Sequence, residues 1–422
     1  MSTTETRFVD TVRWEDLQHA YGSASDVPQL LEKVTASRGQ KLYQALDELC
    51  SRVLHQGTIY SASPPVVRVV IEMLPDAAPK EQVMFYGLLS GFAASARMAI
   101  DDGPAPPSCA GGTPEDGVAI RQHLLAARSL FASVLVGSND QIRTDAAAIL
   151  SFVADQDAAT AKLLRDRYLV EDESLVRHTL LTGLTRARNS FDDWPVFLIA
   201  ALEREREASN RVLLRCAQIH ELPSATDSAC VDDMVSSFVE AHEPLEYQLG
   251  DEEPFFEALH LLGRDRELAA LLKAFDQAKN HDALRVLATR ILRLVFDDQR
   301  TGWGNTSRSR MNEDGSRPPQ ASISSMALRT VGTLILFKLF PFVMRWRMRR
   351  SMRRKPKGIR KIDYWGLQSP APEIPQKLNE AQRIVLTAFV AKAELWQFRT
   401  NLWELFGLPD DAAGLGRFVA GR

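Results

Sequence analysis

The chain has 422 residues, 45% of them hydrophobic and 25% charged, with 51 Lys+Arg against 54 Asp+Glu for a formal net charge of −3. These ordinary globular values exclude collagen-like, wholly disordered and disulfide-scaffold chains. The near-zero charge hides an asymmetry: residues 315–362 hold 13 Lys/Arg and no Asp/Glu, which leaves −16 on the remainder.

The N-terminal stretch mixes Glu5, Arg7, Asp10 and Arg13 without an apolar core, so it does not read as a secretory signal. Cys50, Cys109, Cys216 and Cys230 are widely spaced and form no C-x-x-C pair, which points to free thiols in a reducing cytosol. Cys50 and Cys216 fall on apolar helix faces, as small hydrophobes would.

Helical periodicity then dominates. Leu42, Ala45, Leu46, Leu49 and Val53 recur at steps of three and four, predicting one buried helix face that ends before Gly57. Ser63-Pro64 reads as an N-cap followed by a first-turn proline, opening a helix through Val66, Val67, Val70, Met73 and Leu74. A third helix is expected from Lys80 to about Ala99. After a Gly/Pro/Ser-rich interruption, Thr113-Pro114-Glu115-Asp116 has the cap, proline and acids of a helix start. No run of alternating β-branched residues occurs, so the chain reads as all-α.

A repeat follows. Arg143, Arg177 and Arg211 are 34 residues apart and each leads into an apolar helix, and Arg285 comes 74 residues later, about two further units on. The unit between is expected near Phe255–Leu262. One helix pair cannot bury its apolar face alone, so this period implies stacked pairs, a HEAT-like helical-repeat solenoid with a C-terminal helical capping region. The expected division is 1–136 N-terminal helical repeats, 137–298 HEAT-like repeats, 299–325 a flexible loop, 326–361 an apolar-then-basic helical segment and 362–422 a helical cap. Within the cap, Ile384, Leu386, Val390 and Trp396 are the expected apolar positions.

The two ends carry a resemblance. Trp14, Leu17, His19, Ala20, Tyr21 and Gly22, then Asp26, Val27 and Pro28, and further on His55, Gln56, Gly57, Thr58 and Tyr60, resemble bacterial HEAT-repeat domain proteins, as does Leu402 to Pro409. The resemblance implies an α-solenoid with a protein-binding or scaffold role and no defined chemistry.

No Walker loop, H-E-x-x-H, G-x-S-x-G or dinucleotide fingerprint is present, so no catalytic, cofactor or metal residue is expected. The acid pairs Asp101-Asp102, Asp192-Asp193, Asp232-Asp233, Asp297-Asp298 and Asp410-Asp411 read as capping groups at turns and helix starts. His55 reads as a structural hydrogen-bonding group, and Trp14, Tyr21 and Tyr60 as packing between the first helices.

The one candidate contact surface is the basic segment. Val331 to Met344 is an apolar run of 14 residues, short of the roughly 20 needed to span a bilayer. Its candidate contacts, for an anionic membrane surface or another polyanion, are Phe337, Lys338, Phe340, Arg345, Trp346, Arg347, Arg349, Arg350, Arg353, Arg354 and Lys355. The leading expectation is a cytoplasmic, non-enzymatic scaffold, adaptor or immunity-type antagonist that binds a protein partner along its repeat surface. The alternatives are peripheral attachment to the inner membrane through 331–361, and binding of nucleic acid.

Overall fold

A computed structural model describes residues 8–102, 112–242, 252–296, 378–396, 403 and 407–421. The described chain is helical, as its periodicity predicts, with two small antiparallel hairpins near the start. It divides into two compact units, one built on the chain up to Ala201 and the other on Leu202–His242 and Phe255 onward.

In the first unit, β1 (Gln18–His19) pairs with β2 (Gly22–Ser23), and β3 (Leu54–His55) pairs with β4 (Thr58–Ile59). Strands of two residues are too short to show a sequence period, which is why alternation did not reveal them. The turn between β3 and β4 has both central residues in the left-handed region, Gln56 at φ 52° and Gly57 at φ 80°. Gly57 therefore closes a tight hairpin rather than capping a helix.

The helices follow as α1 (Val27–Ala36), α2 (Gly39–Val53), α3 (Ser63–Met73) and α4 (Pro79–Asp102). The predicted face of α2 is buried as expected, as are Val66, Val67 and Val70 of α3. Ser63 is not the N-cap of α3: its hydroxyl donates to the Val53 carbonyl at 2.6 Å and accepts from the Tyr60 N–H at 2.8 Å. It ties the start of α3 to the end of α2, a contact that local sequence cannot reveal. Helix α4 is apolar and long enough to cross a bilayer, yet 72% of its most apolar window is buried within the protein.

Next come α5 (Pro114–Ala126), α6 (Arg128–Val134), α7 (Asp140–Val153), α8 (Ala158–Tyr168), α9 (Ser174–Arg186) and α10 (Trp194–Arg204). The start of α5 is a capping box: Thr113 Oγ1 accepts from the Asp116 N–H at 3.3 Å, and the Asp116 carboxylate accepts from the Thr113 N–H at 2.8 Å. Helix α7 is buried at every residue from Ile142 to Val153, because α4 and α9 pack against it and α5 joins them. Two glycines set those approaches. A Cβ on Gly183 would meet Ser151 Oγ at 2.2 Å, and one on Gly117 would meet the Ala96 carbonyl at 2.7 Å. These positions let α9 close on α7 and α5 on α4.

The second unit contains α11 (Ala208–Glu221), α12 (Ser228–His242), α13 (Glu252–Leu261), α14 (Arg264–Gln277), α15 (His281–Phe296), α16 (Glu380–Ala391) and α17 (Ala412–Ala420). Its core stacks Phe238 on Phe255 at 3.9 Å and joins Phe275 to Phe389 at 4.8 Å. Helix α16 docks on α15, where the Gln382 amide donates to the Val295 carbonyl at 3.1 Å. Of the apolar positions expected there, Leu386 is fully buried, whereas Ile384 is 52% exposed and lies off the packed face.

Candidate functional site

The basic segment, from Phe337, Lys338 and Phe340 through Arg345, Trp346, Arg347, Arg349, Arg350, Arg353, Arg354 and Lys355, lies outside the described residues, as do Cys109 and Asp297-Asp298. Among the described residues, no group of three or more His, Cys, Asp or Glu could hold a metal ion.

The acid pairs divide. Asp411 caps α17 by accepting the Gly414 N–H at 2.7 Å, as expected. At the other described pairs Asp101, Asp193, Asp232 and Asp233 are ion-pair partners, and Asp193 also stands at the start of α10, where its carbonyl accepts the Phe197 N–H at 3.0 Å. Asp193 receives both Nη groups of Arg165 at 2.6 Å, and Asp232 pairs with Lys273 at 2.6 Å. Asp233 receives Arg211 and Arg215, whose hydrogen bonds hold its carboxyl below the usual range although burial pushes it up. Asp101 sits at the end of α4, not at a helix start, 3.7 Å from Arg97. His55 Nδ1 bonds the Ser51 carbonyl at 3.1 Å, a structural role as expected. Trp14 and Tyr60 are buried, but Tyr21 is 64% exposed with its ring edge-on to His19 and His55, so it is not a packing residue.

The repeated arginines share one local geometry. Arg143, Arg177 and Arg211 each donate through Nη1 to the carbonyl six residues earlier, on Gly137 at 2.8 Å, Glu171 at 3.3 Å and Glu205 at 3.2 Å. Each arginine thus stitches a helix to the turn that leads into it. In the second and third, the turn is fixed again by its own acid. Glu171 accepts the Asp172 and Glu173 N–H groups, and Glu205 accepts those of Arg206 and Glu207. Glu171 also receives Arg143 through Nε and Nη2, both at 3.1 Å, and Arg167 through Nε and Nη2. Burial pushes the Glu171 carboxyl up, but the Glu173 N–H and the two arginines outweigh it and hold it below the usual range.

A second buried arginine cluster was not legible in the repeat. Arg97 on α4, Arg121 on α5 and Arg186 at the end of α9 gather with Asp101 and Asp155, which follows α7. The Arg97 guanidinium lies 5.4 Å and that of Arg121 4.8 Å from the centre of the Phe152 ring on α7. Arg97 Nη1 reaches Asp155 at 3.4 Å. Here the polar accounting stays open. Arg97 Nε and Nη2, Arg121 Nε and all three nitrogens of Arg186 are buried without a hydrogen-bond partner, as is Asp155 Oδ1. Burial, with Arg97 beside it, holds the Arg186 guanidinium well below an arginine's ordinary range. Arg121 is lowered in the same way, by burial first. One signal in the sequence could have exposed the site: Arg97 stands in an otherwise apolar stretch of α4, Phe92-Ala93-Ala94-Ser95-Ala96-Arg97-Met98-Ala99-Ile100. An arginine kept in such a stretch needs a buried partner or a task.

No family model matches the chain, and no curated protein matches it. Among solved structures, a crystal structure described as that of an engineered protein aligns over 92% of each chain at 11% identity with a TM-score of 0.27. A score that low carries no argument about fold or function.

Proposed function

We propose that the chain is a HEAT-like helical-repeat scaffold, without enzymatic activity of its own, that binds a protein partner along its repeat surface in the cytosol. The observation that carries this reading is the recurrence of the arginine-to-carbonyl stitch at 34-residue spacing, at Arg143, Arg177 and Arg211. A local device repeated at fixed register is what a stacked helix-pair architecture requires of its turns.

The same register presents apolar side chains to solvent. Val136 and Val170 each precede the residue whose carbonyl is stitched, and they are 77% and 65% exposed. On α10, Val196 and Ile199 share an outward face at 66% and 56% exposed. Exposed apolar groups at repeated positions supply the anchors that a protein interface uses. The test is affinity capture from the native host with the full chain and with a Val136→Glu/Val170→Glu/Val196→Glu/Ile199→Glu variant. A saturable partner held by the parent and lost by the variant supports the reading. Equal capture by both refutes this surface.

A second reading rests on charge. The apolar run 331–344 followed by clustered arginines supports peripheral attachment to anionic lipid, where each basic residue contributes about 1 kcal/mol. It predicts salt-sensitive co-sedimentation with phosphatidylserine vesicles, lost when Arg345, Arg347, Arg349 and Arg350 are changed to Ala. Equal recovery with neutral vesicles would sink it.

A further inference from the structure

The unpartnered donors of the Arg97–Arg121–Arg186 cluster ask for an acceptor. Three guanidinium groups face two carboxylates, Asp101 and Asp155, so the cluster carries a surplus of one positive charge, with two of its three arginines buried. Arg186 is 7% exposed and Arg97 5%, so bulk solvent does not hydrate these two guanidinium groups. Ordered water could occupy the hydrogen bonds but would leave the charge uncompensated.

We propose that Arg97, Arg121 and Arg186 form a binding site for a phosphoryl group. The number of donors selects the chemistry. The six unpartnered nitrogens carry nine N–H bonds, five of them on Arg186 alone. A carboxylate offers two acceptor oxygens and one charge, whereas a phosphoryl group presents three strong acceptor oxygens and more charge. Planar guanidinium forks also suit phosphate oxygens in pairs. The site is preorganised: Phe152 lies under Arg97 and Arg121, and Gly117 and Gly183 fix the approach of α5 and α9 that brings the three arginines together. Arg121 is only half-buried, so the ligand enters beside it.

Asp155 is the competing group, because its unpartnered Oδ1 could turn toward the arginines and close the cluster on itself. The test separates the two arrangements. The full chain, exchanged into phosphate-free buffer, is titrated with inorganic phosphate, with glycerol 3-phosphate and with acetate at matched ionic strength, by calorimetry and by thermal unfolding. Phosphate is expected to bind with one site per chain and to raise Tm with concentration, as any ligand of the folded state does, while acetate does not. Arg186→Met is expected to weaken phosphate binding by tenfold or more, about what one or two charge-assisted hydrogen bonds contribute. Arg121→Met serves the same purpose should the deeper variant fail to fold. Asp155→Asn, which removes the competing negative charge, is expected to tighten binding. Glycerol 3-phosphate binding at least as tightly as phosphate assigns the site to phosphorylated organic ligands. Binding of phosphate alone assigns it to the free ion. The proposal is overturned if acetate and phosphate act alike, or if the foldable arginine variants bind phosphate as the parent does. It is equally overturned if Asp155→Asn destabilises the fold and leaves no phosphate response, since Asp155 would then be the intended partner.

Discussion

The first compact unit buries arginine in two ways, and the contrast is instructive. Around Glu171 every nitrogen of Arg143 has an acceptor, and the carboxylate itself is filled by two arginines and two backbone N–H groups. Around Arg186 the same residue type is buried to a similar depth with no hydrogen-bond partner at all. Burying an ion is costly unless geometry and hydrogen bonds complete its shell. The first cluster therefore explains itself as structure, a stitch between a turn and a helix. The second does not, and a charge left open at that cost is a reason to look for a ligand.

The sharpest way to break this comparison is to remove one arginine from each cluster. Arg143→Met takes one of its two arginines from the buried Glu171 and is expected to cost about 3 kcal/mol in urea unfolding, the low end for breaking a buried ion pair. Arg186→Met, measured without phosphate, is expected to be neutral or stabilising, because it removes a charge with no partner. Equal losses for both variants would erase the distinction between the clusters.

A smaller effect tests the packing that both clusters share. Gly183→Ala places a methyl 2.2 Å from Ser151 Oγ and 2.9 Å from Leu164 Cδ1. Pushing α9 off α7 in this way is expected to cost about 1–3 kcal/mol, readable as a lower denaturation midpoint.

The pH dependence sharpens the Glu171 side alone. Its folded-state pKa lies below the unfolded one, so the stabilisation is complete above the ordinary carboxylate value of about 4.3 and is lost as pH falls through the folded value. In that acid window the unfolded chain binds the extra proton, and stability rises with pH. Glu171→Gln is expected to flatten that rise on the acid side of the ordinary carboxylate value. An unchanged slope would mean that the arginines do not hold the carboxylate in its charged form.

The smallest expected effect lies at the start of α5, the helix that carries Arg121. Thr113→Ala removes one half of the capping box and is expected to cost about 1 kcal/mol in thermal unfolding. Its weakening of phosphate binding should be slight, since Arg121 lies two turns further along.

Much of the helical order was legible because it is local. The face of α2, the extent of α4 and the cap at Thr113 all depend on neighbours within a few residues, and the structure bears them out. The errors have a common cause. Ser63 looked like a cap and is a bridge to Val53, Asp233 looked like a cap and is an arginine partner, and Gly57 looked like a helix end and closes a hairpin. In each case the residue type was read for its short-range role, while a partner distant in sequence or a neighbouring turn took the side chain or backbone instead.

Sequence by itself determined the helical character of the chain, the buried face of α2 and the start of α5, because periodicity and capping are short-range physics. It also determined that the charge is divided between an acidic body and one basic stretch of 48 residues. Only the tertiary structure decided which charges are satisfied. Arg97, Arg121 and Arg186 come from three helices and meet because α4, α5 and α9 all gather around α7. Whether a buried guanidinium finds a carboxylate there depends on the full three-dimensional set of neighbours, and no local pattern encodes that.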